Sequence, residues 1–340
     1  MLLDTAYLFT DITARRYFSG VSVDEGVLVI FNGKSVYFTD ARYNQAVKEK
    51  LQSTDIESRL LKDNGTVKDY VTSLGAKSLA IDFSTVTVKK YNEYKSWGLE
   101  IIDSSEEMER LRSIKKPNEI KNIKKACEIA QKCFYLALPY IKEGVTEELI
   151  KEKLNKLYKK FGAEGESFST IVAFGKNSAI PHHETGKTKL KKDTVVLIDT
   201  GCIVNGYRSD LTRTLFFGTP DKEFVRCYDA VLSANEKSIE FAKEGVECST
   251  IHQTAVAQLK KHYVDEYFTH SLGHGVGLEI HESPTLSAKS DVVMENDMVF
   301  TIEPGVYING KFGIRIEDTV VMENGKAQRL FTDDKKLMVL

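Results

Sequence analysis

Two pairs of carboxylates lie inside apolar, strand-like stretches of this sequence, and few folds can bury acids in that way. The first stretch, residues 194–217, reads TVVLIDTGCIVNGYRSDLTRTLFF. Its Asn-Gly dipeptide at 205–206 favours a hairpin with a two-residue loop. In that register Asp199 faces Thr212, so Asp199 and Asp210 share a face as diagonal neighbours. Two carboxylates therefore converge in an apolar sheet, where each raises the pKa of the other unless a cation balances them. An edge hairpin with both acids in solvent is the alternative.

A second carboxylate pair lies in residues 300–322, which read FTIEPGVYINGKFGIRIEDTVVM. A two-residue loop would put Glu303 and Glu317 on different faces of the hairpin. A three-residue loop at 309–311 places them directly opposite each other, so we expect this longer loop or a bulge. Arg315 alternates with Glu317 on the same strand, so it would neutralise a bridging carboxylate, hold substrate or lie at the surface.

The segment between the two acidic stretches, residues 269–284, is rich in glycine and histidine. It reads THSLGHGVGLEIHESP and holds three of the seven histidines, His270, His274 and His281. Each could be an ordinary polar residue, but their position between two acidic hairpins favours a site. Carboxylates with one imidazole suit a carboxylate-bridged pair of manganese, iron, cobalt or zinc ions better than a structural zinc. Such a pair activates water and polarises a carbonyl, which is the chemistry of hydrolysis.

The length of 340 residues favours two domains. Up to about residue 103 short apolar runs alternate with turns, including Asn-Gly at 32–33, which predicts a small mixed α/β domain at 1–112. Residues 113–340 combine helices, the first beginning at Pro117, with the acidic strands. The predicted fold class is therefore α/β in the broad sense that includes α+β.

Net charge, apolar runs and cysteine content limit the partners and the location that we expect for this protein. The net charge of -2 lacks the basic excess of a nucleic-acid binder, so we expect no nucleic-acid partner. We find neither an apolar run of about 18 residues nor a signal peptide, and we expect a cytoplasmic protein without a membrane partner. The five cysteines include no C-x-x-C pair, which favours reduced thiols.

The acidic and histidine segments resemble those of the pita-bread metallopeptidases, the family of methionine aminopeptidase, aminopeptidase P, prolidase and creatinase. The resemblance runs from about residue 115 to the end and rests on IDTGCIVNGYRSDLTRT, GHGVGLEIHE, FTIEPGVY and GIRIEDTVVM. It implies a catalytic domain with a curved antiparallel sheet and covering helices. The earlier segments RRYFSGVSVDEGVLVIF and YFTDARY resemble the N-terminal domain of aminopeptidase P, prolidase and creatinase. The resemblance therefore implies cleavage of Xaa-Pro bonds at the N-terminus of peptides or dipeptides.

The resemblance also implies two divalent metal ions. Asp199 would bind one ion, His274 and Glu303 the other, and Asp210 and Glu317 would bridge them. Glu303 would also orient or deprotonate the attacking water. Manganese is the expected metal, with cobalt, zinc and iron as alternatives. A small peptide as substrate and a homodimer are the implied partners.

Three further histidines would act on the substrate. By the same resemblance His182 would contact the scissile peptide, His281 would stabilise the tetrahedral intermediate, and His270 would line the pocket for the residue after the cut. Arg315 is the remaining candidate for substrate binding. The other histidines match no such position and are expected to be structural: His183, His252 and His262. A creatinase-like hydrolase or a non-catalytic peptide-binding protein is the alternative, but all five ligand positions are intact.

Overall fold

The computed structural model describes residues 2–63 and 65–340. The chain divides into two compact units, Met1–Leu111 and Arg112–Leu340. Each unit has its own hydrophobic core, and each combines helices with strands as the sequence predicted. No helix within the described residues is long and apolar enough to cross a membrane.

The first unit is built on a six-stranded mixed sheet. Its elements are β1 (Thr5–Phe9), α1 (Ile12–Ser19), β2 (Val27–Phe31), β3 (Lys34–Thr39), α2 (Asn44–Leu51), β4 (Ile56–Leu60), α3 (Thr66–Ser73), β5 (Ser78–Ile81), α4 (Val88–Lys95), β6 (Glu100–Asp103) and α5 (Ser105–Ser113). The strand order is β4-β3-β2-β1-β5-β6. Asn32 and Gly33 have φ of 46° and 78°, and Phe31 pairs with Lys34 across them, which confirms the predicted hairpin.

The second unit holds two larger sheets, each covered by a pair of helices. Its elements are α6 (Pro117–Ala137), α7 (Glu147–Lys160), β7 (Ile171–Phe174), β8 (Thr194–Thr200), β9 (Ile203–Val204), β10 (Tyr207–Arg208), β11 (Leu211–Phe217), α8 (Lys222–Phe241), α9 (Cys248–Lys261), β12 (Gly273–Gly275), β13 (Glu282–Leu286), β14 (Val299–Ile302), β15 (Gly305–Ile308), β16 (Phe312–Arg315), β17 (Asp318–Glu323), β18 (Lys326–Arg329) and β19 (Met338–Val339). One sheet has the order β19-β11-β8-β7 and the other β13-β12-β14-β17-β18. The apolar faces of α6 and α7 pack on the first sheet, and those of α8 and α9 on the second.

Local signals explain where the helices of this unit begin. Pro117 is the first residue of α6, where its missing N–H leaves no bond unmade. The Thr146 hydroxyl caps α7 by accepting from the Leu149 N–H at 3.3 Å. The Asp221 carboxylate caps α8 in the same way. These local signals fix the first residues of α6, α7 and α8, and the apolar faces of the helices then pack on the strands that carry the predicted site.

The first acidic hairpin has the predicted register. Val204 pairs with Tyr207 across the Asn-Gly loop, and Asp199 pairs with Thr212 between β8 and β11. Asp210 directly precedes β11 and continues this register. The two carboxylates are therefore diagonal neighbours on one face, and both are buried. The alternative of a solvent-facing edge hairpin is wrong.

The second acidic hairpin has the predicted three-residue loop. Ile308 pairs with Phe312 across residues 309–311, and Gly305 pairs with Arg315. The same register continues beyond a gap, where Ile302 pairs with Asp318. Within the gap it places Glu303 opposite Glu317, as the sequence predicted.

Candidate active site

A cavity of about 860 Å³ opens in the second unit between its two main sheets. Every predicted site residue lines it: His182, Asp199, Asp210, His270, His274, His281, Glu303, Arg315 and Glu317. The strands bring these side chains together from four separate stretches of the chain. The cavity is therefore the candidate active site.

Asp199 and Asp210 both line the cavity. Both side chains are buried, and the Oδ1 atom of each has no hydrogen-bond partner in the protein. Burial raises the pKa of Asp199, although the nearby Arg315 opposes the shift. Burial and then the charge of Glu317 raise the pKa of Asp210 well above its usual range. Arg315 supplies one positive charge beside Asp199, and Asp210 has no basic partner at that distance except His274, 3.6 Å away.

Glu303 and Glu317 lie where the ladder of the second hairpin opens. The Glu303 N–H donates to Leu272 O at 2.8 Å, and the Glu317 N–H donates to Thr212 O at 3.1 Å. Glu303 and Glu317 form a non-hydrogen-bonded pair of this register, in which the N–H groups point away from the partner strand, so each backbone bonds to a different neighbouring segment. Burial and the charge of Glu303 raise the pKa of Glu317 well above its usual range. The opening therefore concentrates negative charge at one point between the two sheets.

His274 on β12 is the imidazole of this cluster. Its Nε2 lies 3.3 Å from Glu303 Oε1 and 3.6 Å from Asp210 Oδ2. Its Nδ1 lies 3.1 Å from Gly275 O, and a proton on Nδ1 leaves Nε2 as the atom that faces the acids. Burial disfavours the charged form of His274, but Glu303 outweighs it and raises the pKa. Burial likewise opposes ionisation of Glu303, but His274 brings its pKa to about 2.

These residues fit divalent metal ions. Atoms of Asp210, His274 and Glu317 all lie within 4.8 Å of one another. The donors are carboxylate oxygens and one imidazole, which suit a hard or borderline cation. The unpartnered oxygens of Asp199 and Asp210 and the raised pKa values of three buried carboxylates indicate a missing positive charge. A cation in this cluster would supply it.

Arg315 is a buried cation beside the cluster. Its Nη2 donates to Asp199 Oδ2 at 2.6 Å, and its Nε donates to Thr212 Oγ1 at 3.1 Å. Thr212 in turn donates to Glu317 Oε2 at 2.6 Å. The ion pair is with Asp199 and not with Asp210 or Glu317, the acids expected to bridge. Arg315 reaches Glu317 only through Thr212, so neutralisation of a bridging carboxylate stays a prediction. Arg315 is buried, so the surface alternative is wrong. Contact between Arg315 and substrate stays a prediction.

Tyr307 connects Arg315 to the predicted pocket residue His270. The Arg315 Nη1 donates to the Tyr307 hydroxyl at 2.7 Å, which lies 2.9 Å from His270 Nε2. Burial raises the pKa of Tyr307 to about 12. Neither Tyr307 nor Thr212 was predicted from the sequence as a site residue. Strand alternation from Glu303 and the direct pairing of Thr212 with Asp199 were signals that would have found them.

Three further histidines line the cavity: His182, His183 and His281. The His281 ring lies 4.3 Å from the His274 ring and nearly perpendicular to it. Burial and then the charge of His274 lower the pKa of His281. His182 also lines the cavity. His183 lines the cavity as well, and its Nε2 lies 3.0 Å from Oε2 of the buried Glu147, so the structural role expected for it stays a prediction.

Comparison with known proteins identifies the class that this fold and site define. Residues 121–324 match the model of metallopeptidase family M24, and residues 3–114 match that of the creatinase/prolidase N-terminal domain. The Xaa-Pro dipeptidase of Pyrococcus furiosus is 36% identical over 330 residues, which cover 95% of this chain and 92% of that protein.

Two solved structures have the same fold over nearly the whole chain. The X-Pro aminopeptidase from Thermotoga maritima has a TM-score of 0.91 and 34% identity, over 99% of this chain and 97% of that one. The Xaa-Pro dipeptidase from Bacillus anthracis has a TM-score of 0.94 and 33% identity, over 98% of this chain and 95% of that one. The fold and the acidic site are those of a metallopeptidase. The chain belongs to metallopeptidase family M24, which confirms the predicted family and fold class.

Proposed function

We propose that this chain is a metal-dependent exopeptidase that hydrolyses the Xaa-Pro bond at the N-terminus of peptides or dipeptides. One observation supports the proposal: a single cavity is lined by all five residues proposed as ligands, Asp199, Asp210, His274, Glu303 and Glu317. The substrate class is supported by the relatives named above, which are an Xaa-Pro dipeptidase and an X-Pro aminopeptidase among others. The match of residues 3–114 supports a creatinase-type N-terminal domain at 1–112 and a catalytic domain at 113–340.

The five ligand residues would hold two divalent ions, with Asp210 and Glu317 shared between them. Bound metal would supply a Lewis acid for the scissile carbonyl and lower the pKa of water. The Glu303 carboxylate, ionised and 3.3 Å from His274, would take the proton from the attacking water. We propose manganese, because oxygen donors dominate the set.

The histidines at the cavity wall would act on the substrate itself. His281 has a lowered pKa and would donate from a neutral ring to the oxygen on which negative charge develops. His182, which also lines the cavity, would contact the scissile peptide. His270, fixed by Tyr307, would line the pocket for proline. Arg315 is buried with its nitrogens bonded to Asp199, Thr212 and Tyr307, which favours a role in orienting Asp199 over direct substrate binding.

The location and assembly are proposals of the same kind. All five cysteines are free and buried, which suits a reducing compartment such as the cytoplasm. A homodimer is proposed from the family resemblance. No observation favours a creatinase-like or non-catalytic protein, because neither requires five intact metal-type ligands around one cavity.

Turnover of three substrates tests the proposal. The wild-type chain, with manganese added and then chelated, would be assayed with an Xaa-Pro dipeptide, an Xaa-Pro-Xaa tripeptide and a Met-Ala-Xaa control. We expect cleavage of a proline substrate that is lost on chelation, and the relative rates would assign the dipeptidase or aminopeptidase subgroup. The proposal would be contradicted if neither the Xaa-Pro dipeptide nor the Xaa-Pro-Xaa tripeptide were cleaved.

A further inference from the structure

The opening in the second hairpin has a local cause, which is Pro304. The Ile316 N–H donates to Pro304 O at 3.4 Å. An antiparallel pair would normally return a bond from residue 304 to Ile316 O, but proline has no N–H. The Ile316 carbonyl therefore needs another donor. It directly precedes Glu317, just as the Ile302 carbonyl directly precedes Glu303.

Asn235 supplies that donor from helix α8. Its Nδ2 donates to Ile316 O at 3.1 Å and to Ile302 O at 2.8 Å. The side chain is completely buried, and α8 packs against β14, β15 and β16. One amide group thus uses both of its N–H bonds on the peptide units that precede Glu303 and Glu317.

Lys335 fixes the orientation of this amide. Its Nζ donates to Asn235 Oδ1 at 2.5 Å and to Asp318 Oδ2 at 2.9 Å. An ammonium group has no acceptor, so only Oδ1 of the amide can face it. The Nδ2 must then point to the two carbonyls. The Tyr228 hydroxyl donates to Lys335 O at 2.8 Å and holds this segment in place.

We propose that Asn235 is a positioning residue for the metal centre. It bridges the two backbones where Pro304 interrupts the ladder, and so it fixes the spacing between Glu303 and Glu317. Lys335 serves this function indirectly by orienting the amide. The inference rests on the proposed function only in taking Glu303 and Glu317 as metal ligands.

Asn235→Asp tests the inference because it keeps the volume and the contact with Lys335 but removes both N–H donors. The full-length, metal-free variant would be titrated with Mn²⁺ by calorimetry after circular dichroism has verified its fold. Loss of groups that orient metal ligands lowers metal affinity by roughly 10- to 100-fold, and we expect a loss in this range. In the peptidase assay kcat should fall with little change in KM.

Ser238→Ala is the matched control. Ser238 lies on the same helix, is completely buried, and its Oγ has no partner in the protein. We expect this variant to bind Mn²⁺ with wild-type affinity. Asn235→Ser provides a second test if Asn235→Asp does not fold, because one hydroxyl cannot serve both carbonyls. The affinity of Asn235→Ser for Mn²⁺ should also be lower than that of the wild type, by a smaller factor than for Asn235→Asp.

Two results would overturn the inference, and they differ. If a folded Asn235 variant bound Mn²⁺ with wild-type affinity, Asn235 would have no positioning role for the metal centre. The proposed peptidase function would be unaffected. Failure of the wild-type chain to bind Mn²⁺ would remove the metal site itself, and with it both proposals. The calorimetric readout needs no peptide substrate, so it is independent of the substrate assignment.

Discussion

Arg315 and Asp199 form a buried ion pair at 2.6 Å, although 116 residues separate them in the chain. Arg315 is 4% exposed and Asp199 8%. Removal of one partner from such a pair leaves an uncompensated charge in a poorly solvated place. This relationship makes the stability of the metal-free protein depend on a residue of the site.

Arg315→Met should therefore destabilise the metal-free protein by about 3 kcal/mol. Chemical denaturation in excess chelator would measure the free energy of unfolding. Arg59→Met is the control, because the Arg59–Glu57 pair is exposed and should contribute below about 1 kcal/mol. If both substitutions lowered the free energy of unfolding equally, burial of the Arg315–Asp199 pair would make no additional contribution to stability.

Glu303→Gln should abolish most turnover while it perturbs metal content less than Asp210→Ala does. The carboxamide keeps the shape and one oxygen donor but cannot accept a proton from water at neutral pH. Asp210→Ala instead removes a proposed bridging ligand altogether. Metal content by elemental analysis and turnover of an Xaa-Pro substrate would be measured on both variants. Unchanged turnover in Glu303→Gln would contradict its assignment as the base.

His281→Ala should lower kcat by roughly two to three orders of magnitude if the ring acts as a donor to the developing oxyanion. Metal content should stay close to that of the wild type. His262→Ala is the control, since His262 lies outside the cavity, and it should leave kcat unchanged. Full activity of His281→Ala would exclude His281 from the site.

Glu282 should make stability depend on pH on the acid side. Burial opposes its ionisation, but Lys115 and Arg112, whose nitrogens lie at 2.8 Å and 2.7 Å, lower its pKa below the usual 4.5. A lowered folded-state pKa contributes stability that is present above the unfolded pKa and is lost as the pH falls through the folded value.

Glu282→Gln should accordingly lower the free energy of unfolding at pH 7, where it leaves the buried Lys115 without its partner. It should also flatten the decline of stability below about pH 5. Urea denaturation across pH 3 to 7 in excess chelator would show both effects. An unchanged acid slope would mean that other carboxylates dominate it.

Local sequence determined the register of the first acidic hairpin, because the Asn-Gly loop and the two-residue alternation of strands placed Asp199 beside Asp210. For the second hairpin the sequence allowed a loop of two or three residues, and the structure has the three-residue loop that puts Glu303 opposite Glu317. The acid and histidine motifs were likewise sufficient to indicate the family. Their individual roles stay predictions.

Tertiary packing alone decided which distant groups support these acids. Asn235 reaches Ile302 and Ile316 across 67 and 81 residues of sequence, and Arg315 reaches Asp199 from another sheet. No periodicity encodes such contacts, because they depend on how a helix and two sheets pack. Pro304 was visible in the sequence, but the donor that replaces its missing N–H was identified only by the fold.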